Sequence, residues 1–138
     1  MRVVSLIENT GKRMDLQTEH GLSLYIETAG HKVLFDTGAT DRFLENAEKL
    51  GVDLTAVDTL VLSHGHYDHT GGVKVFLERN QQAKVYIRES AFAPFYHSEE
   101  SEHRFIGIQS IEKSNPRLTL TKGNVEIDRE LTLFTHVQ

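Results

Sequence analysis

The chain has no cysteine, no apolar run approaching the ~18 residues that a membrane span requires, and too little positive charge to offset its acidic residues. Without cysteine there is no disulfide and no thiolate ligand, so any metal must be held by histidine and carboxylate. The opening Met1-Arg2-Val3-Val4-Ser5-Leu6-Ile7 passes straight into polar residues, which argues against a secretory signal. A net charge of −5 has the wrong sign for a broad nucleic-acid footprint. Internal repeats and low-complexity linkers are also missing. These absences predict a cytoplasmic protein with neither a membrane nor a nucleic-acid partner.

What is present fits one globular unit. The 138 residues, with 38% hydrophobic and 25% charged, suffice for a single domain spanning 1–138. Strands are expected over Val3 to Ile7, Leu22 to Glu27, Lys32 to Asp36, Thr59 to Leu62 and Lys84 to Arg88, with a hairpin turn at Ala29-Gly30. Phe43, Ala47 and Leu50 recur at helical spacing between Thr40 and Leu50, and Gly51 supplies the stop. Val73, Phe76 and Leu77 mark a second helix between Gly71 and Arg79. Alternating strands and helices predict an α/β fold with a βαβ arrangement.

The chemistry concentrates in six residues. His64, His66, Asp68 and His69 are expected on a loop after the apolar run Val57 to Leu62, and Thr70-Gly71-Gly72 follows them. On extended backbone an H-x-H pair turns both imidazoles to one side. A mixed His and Asp set suits zinc, manganese or iron better than calcium. Asp68 and His69 offer a further oxygen and nitrogen as the chain turns, so one segment can serve two adjacent ions. Gly65, Gly71 and Gly72 are expected to let the backbone bend and approach the metals.

The run Ser63-His64-Gly65-His66-Tyr67-Asp68-His69-Thr70-Gly71-Gly72 resembles the H-x-H-x-D-H signature of the metallo-β-lactamase-fold hydrolases. Val33-Leu34-Phe35-Asp36-Thr37-Gly38 resembles the strand of that family that ends in Asp-Thr-Gly. Glu19 to Glu27 is similar to a branch whose members are labelled dihydropterin ribofuranosyl-aminobenzene phosphate synthases. The resemblance runs through the chain but covers only the first half of the family's domain. It implies half of an αββα sandwich, a mixed sheet with outer helices, with the metals at one edge.

By that resemblance two divalent ions are expected, zinc first, with manganese or iron as alternatives. His64 and His66 would hold the first ion, Asp68 and His69 the second. Asp68 would also orient the attacking water or accept its proton. Asp36 would accept a hydrogen bond from a ligating imidazole, although a strand-end Asp can instead cap its own turn. The reaction class is hydrolysis of an ester, phosphoester, thioester or amide in a small-molecule substrate.

The family's remaining ligands, two His and a bridging Asp, come from its second half and match nothing here. His136 lacks the usual small-residue context. The second half is therefore expected from a partner chain, a symmetric copy or the rest of a longer protein. The competing reading is a truncated, inactive half-domain that oligomerises through its uncovered sheet. A transferase or oxidoreductase on the same scaffold is the third. His20 is a candidate for the cleft rim. His31 reads as an ordinary turn histidine, and the acidic-serine tract between His97 and His103 as a solvated loop.

Overall fold

In the computed structural model the described residues are 1–8, 16–19, 21–64, 67–88, 96–99, 102–105 and 115–134, with backbone alone for 67–68 and for the segments 96–99 and 102–105. His20, His66 and His136 lie outside them. Strands β1 (Arg2–Ile7), β2 (Ser23–Glu27) and β3 (Lys32–Phe35) form an antiparallel meander. Then β4 (Thr59–Val61), β5 (Lys84–Arg88) and β8 (Leu118–Thr121) continue it in parallel, giving the order β1-β2-β3-β4-β5-β8. Helix α1 (Arg42–Lys49) connects β3 to β4. A short turn α2 (Tyr67–Thr70) and helix α3 (Val73–Arg79) connect β4 to β5. Two small hairpins, β6 (Tyr96–Glu99) with β7 (Glu102–Phe105) and β9 (Val125–Glu126) with β10 (Thr132–Leu133), form two-stranded sheets of their own. The result is a mixed sheet with outer helices, as expected.

Side-chain alternation gives the sheet two distinct faces. Leu34, Leu60, Val85 and Ile87 turn to the helices and join Phe43, Ala47, Val73 and Phe76 in one core. Residues of opposite parity, Val33, Phe35, Val61, Tyr86 and Arg88, line a cavity of about 560 Å³ whose other wall is Leu131 to Phe134. Helix α1 ends in a Schellman motif: the Val52 N–H donates to the Ala47 carbonyl and the Gly51 N–H to that of Glu48, with Gly51 at φ +73°.

Two polar clusters tie distant segments together. Buried Asn80, just past α3, donates to the carbonyls of Leu54 and Val57 and accepts from the N–H groups of Gln82 and Ala83. The Arg117 guanidinium, entering β8, donates to the carbonyls of Leu77, Asn80 and Ala83, and burial lowers its pKa. His31, read from sequence as an ordinary turn residue, is instead clasped by two carboxylates. Its Nδ1 lies 2.9 Å from Asp58 and its Nε2 2.5 Å from Asp128. Beside it the Gly30 N–H donates to Glu130, so the β9–β10 hairpin is latched onto the β2–β3 turn.

The structure corrects three expectations. The segment holding Asp68 and His69 closes into the helical turn α2 rather than an open loop. The tract around His97 and His103 has the paired backbone of the β6–β7 hairpin. The glycine pair answers crowding between backbones: a Cβ on Gly71 would run into the Ala39 carbonyl, and one on Gly72 into the Phe43 ring and the Thr40 carbonyl. Their smallness lets α2 and α3 dock on the start of α1, which is a different demand from approach to a metal.

Candidate metal centre

Parallel strands β3 and β4 end side by side, with Phe35 opposite Val61, so the residues just beyond them meet at one edge. Carboxyl ends of parallel strands are where open α/β sheets place ligands. From β3 comes Asp36 and from β4 come Ser63 and His64. The turn α2 then brings His69 back over the same edge.

Asp36 is fully buried and has φ +58°, a left-handed conformation rare outside glycine. Its backbone N–H donates to the Val61 carbonyl, and its own carbonyl accepts from the Ser23 hydroxyl. Pinned this way, the carboxylate leaves the strand line and turns toward the β4 end. One oxygen accepts the Ser63 backbone N–H at 2.8 Å. The other meets the Ser63 hydroxyl at 2.5 Å and His69 Nδ1 at 2.7 Å.

The two histidine rings lie 4.1 Å apart between centroids, and the Ser63 hydroxyl is 2.8 Å from His64 Nδ1. One ligand atom each from Asp36, His64 and His69 falls within 4.8 Å of the others. Two neighbouring imidazoles, one backed by the Asp36 carboxylate, are donor chemistry that zinc, manganese and iron take, so the residues present fit a divalent ion of that kind. Of the sequence candidates, the structure thus brings together Asp36, His64 and His69. Asp68 has its backbone in α2; its side chain, like His66 and His20, is outside the description.

Three residues with no assigned part in the sequence reading hold this edge in shape. Thr37 donates its N–H to the His69 carbonyl, and its hydroxyl accepts the Gly72 N–H. Glu19 accepts from the N–H groups of Ala39 and Thr40 and from the Thr40 hydroxyl, which docks the segment before His20 against the start of α1. Ser63 sits between Asp36 and His64. A hydroxyl flanking a ligand motif was the only signal in the sequence for it.

Comparison with known proteins bears on this geometry. Residues 17–137 match the family model of the metallo-beta-lactamase superfamily. An uncharacterized protein of Methanocaldococcus jannaschii is 33% identical over 126 residues, covering 91% of this chain and 46% of its own length. The 7,8-dihydropterin-6-methyl-4-(beta-D-ribofuranosyl)-aminobenzene-5'-phosphate synthase of the same organism is 26% identical over 140 residues, covering 92% and 47%. The crystal structure of Tm1679, a metal-dependent hydrolase of the beta-lactamase superfamily, superposes with a TM-score of 0.72 at 29% identity, covering 96% of this chain and 46% of that one. The chain spans about half the length of the curated relatives it matches. With the ligand edge, the mixed sheet and the family model all in agreement over most of its length, this chain belongs to the metallo-β-lactamase superfamily.

Proposed function

We propose that this chain carries the first metal-binding half of a metal-dependent hydrolase acting on an ester, phosphoester, thioester or amide of a small molecule. The observation that carries the reading is the meeting of Asp36, His64 and His69 within 4.8 Å at the ends of two adjacent parallel strands. His64 and His66 would hold one divalent ion, zinc before manganese or iron, and Asp68 and His69 a second. Such ions supply Lewis acidity and a water acidic enough to attack at neutral pH. Asp36 keeps the His69 proton on Nδ1 and so fixes the ring. Asp68 would orient the attacking water or accept its proton. The ligands still needed come from a partner chain, a second copy or a longer protein.

Metal content per chain, measured beside oligomeric mass and repeated for the double variant His64→Ala/His66→Ala, tests this. Near-stoichiometric metal that the double variant loses is expected. Little metal, or metal indifferent to the substitutions, would overturn the proposal and leave an inactive half-domain that oligomerises. A second reading, a metal-dependent transferase, is favoured by the relative that is named a synthase rather than a hydrolase.

A further inference from the structure

With Asp36 ionised and both rings neutral, the hydrogen-bonded chain around Ser63 admits one proton arrangement. As a carboxylate, Asp36 only accepts. Its Oδ2 stands 2.5 Å from the Ser63 hydroxyl and 2.7 Å from His69 Nδ1, so both must donate to it. A serine hydroxyl has one hydrogen. With that hydrogen given to Asp36, the Ser63 oxygen can only accept in its 2.8 Å contact with His64 Nδ1, which must therefore carry a proton. The opposite choice, with the hydroxyl donating to His64, would set two bare acceptors 2.5 Å apart.

We propose that Ser63 is a positioning residue that relays the hydrogen-bonding demand of Asp36 to His64. Its hydroxyl fixes His64 in the same Nδ1-protonated form that Asp36 imposes on His69. Both neighbouring rings then keep their lone pair on Nε2, the form in which an imidazole ligates through that atom. One buried carboxylate thereby sets the tautomers of two histidines from two different elements, one directly and one through a hydroxyl. This rests on the metal reading for its purpose but not for its geometry.

Removal of the hydroxyl is clean here, because the Ser63 backbone N–H keeps its own bond to Asp36 Oδ1. The test is long-range proton–nitrogen NMR of the histidine rings in the metal-free chain, with zinc affinity by chelator competition, for wild type, Ser63→Ala and Ser63→Thr. Wild-type His64 is expected with its proton on Nδ1. Ser63→Ala should lose that preference at His64, leave His69 unchanged, and weaken zinc about 10- to 100-fold, the usual effect of removing a ligand's hydrogen-bond partner. Ser63→Thr should restore both. Wild-type His64 protonated on Nε2 would overturn the proposal even if the alanine variant failed to fold. So would a loss of zinc affinity with the His64 tautomer unchanged. A wild-type chain that takes up no zinc would instead overturn the metal reading, while the His64 tautomer still decides for or against Ser63.

Discussion

At the scale of single residues, Asp36 shows how the site is aimed. A non-glycine residue at positive φ costs on the order of 1–3 kcal/mol and persists only where its surroundings impose it. Here two backbone bonds and three contacts to the carboxylate impose it. Asparagine tolerates the same backbone and nearly the same shape. Asp36→Asn should therefore fold, but an amide NH₂ facing His69 Nδ1 reverses the ring's proton, and zinc affinity should fall about 10- to 100-fold. Chelator competition checks this, and unchanged affinity would remove Asp36 from the supporting role. Gly71 is a different case, limited by space alone. Gly71→Ala should destabilise by about 3 kcal/mol in urea unfolding, because the obstruction is backbone and cannot swing away. Gly123→Ala, whose Cβ would meet nothing within 4 Å, is the control and should be close to neutral.

At the scale of elements, the buried Asn80 amide holds the end of α3, the turn at 54–57 and the start of β5 together, with Arg117 adding β8. Asn80→Ala should cost about 2–4 kcal/mol, since it leaves buried carbonyls and N–H groups without partners. Equilibrium unfolding measures it, and a cost under ~1 kcal/mol would mean that water replaces the amide. The elements most legible in sequence have local causes. Helix α1 shows in the spacing of Phe43 and Ala47 and in the stop at Gly51, and β5 in the alternation of Lys84 to Arg88. The ligand edge was legible because its motif is contiguous. Strand β8 is not among the expected elements, although Leu118 and Leu120 alternate with Thr119 and Thr121, because four residues with only two half-buried leucines give a weak pattern. The turn α2 is only four residues long and holds candidate ligands in place of an apolar face, so periodicity is silent there. Ser63 and Asn80 each also bond a partner 20 or more residues away, Asp36 and Val57, which no local pattern records.

At the scale of the whole molecule, the His31 latch joins turns at opposite ends of the chain. Both ring nitrogens face carboxylates, so the geometry calls for imidazolium. Hydrogen bonds to Asp58 and then Asp128 raise the His31 pKa above 6.5, against the opposing effect of burial. The charged groups around it are Asp58, Asp128 and Glu130, with Lys32 adjacent in sequence. A folded pKa above the unfolded one contributes stability that is complete below pH ~6.5 and lost as pH climbs through the raised value. Asp58 and Asp128 are displaced the other way. Asp58 is lowered despite its burial by bonds from Thr59 and His31, and Asp128 chiefly by His31. Their contribution holds above their unfolded 3.8 and is lost as pH falls through the lower folded values. Amide protection in the β9–β10 hairpin, taken relative to the intrinsic exchange rate at each pH, should therefore be greatest between those limits and fall on the alkaline side. His31→Gln should flatten the alkaline limb, and an unchanged profile would show that the latch does not hold the hairpin.

The same latch bears on the order of assembly. It joins residues 97 positions apart, whereas among the described residues every buried member of the helix-side core lies at or before Ile87. During synthesis from the N-terminus that core and the Asp36, His64 and His69 edge are complete in the emerging chain well before Asp128 leaves the ribosome. The cavity wall at Leu131 to Phe134 can close only after that core, so the nascent protein passes through a stage in which Asp36, His64 and His69 are in place while the sheet face opposite the helices is still open.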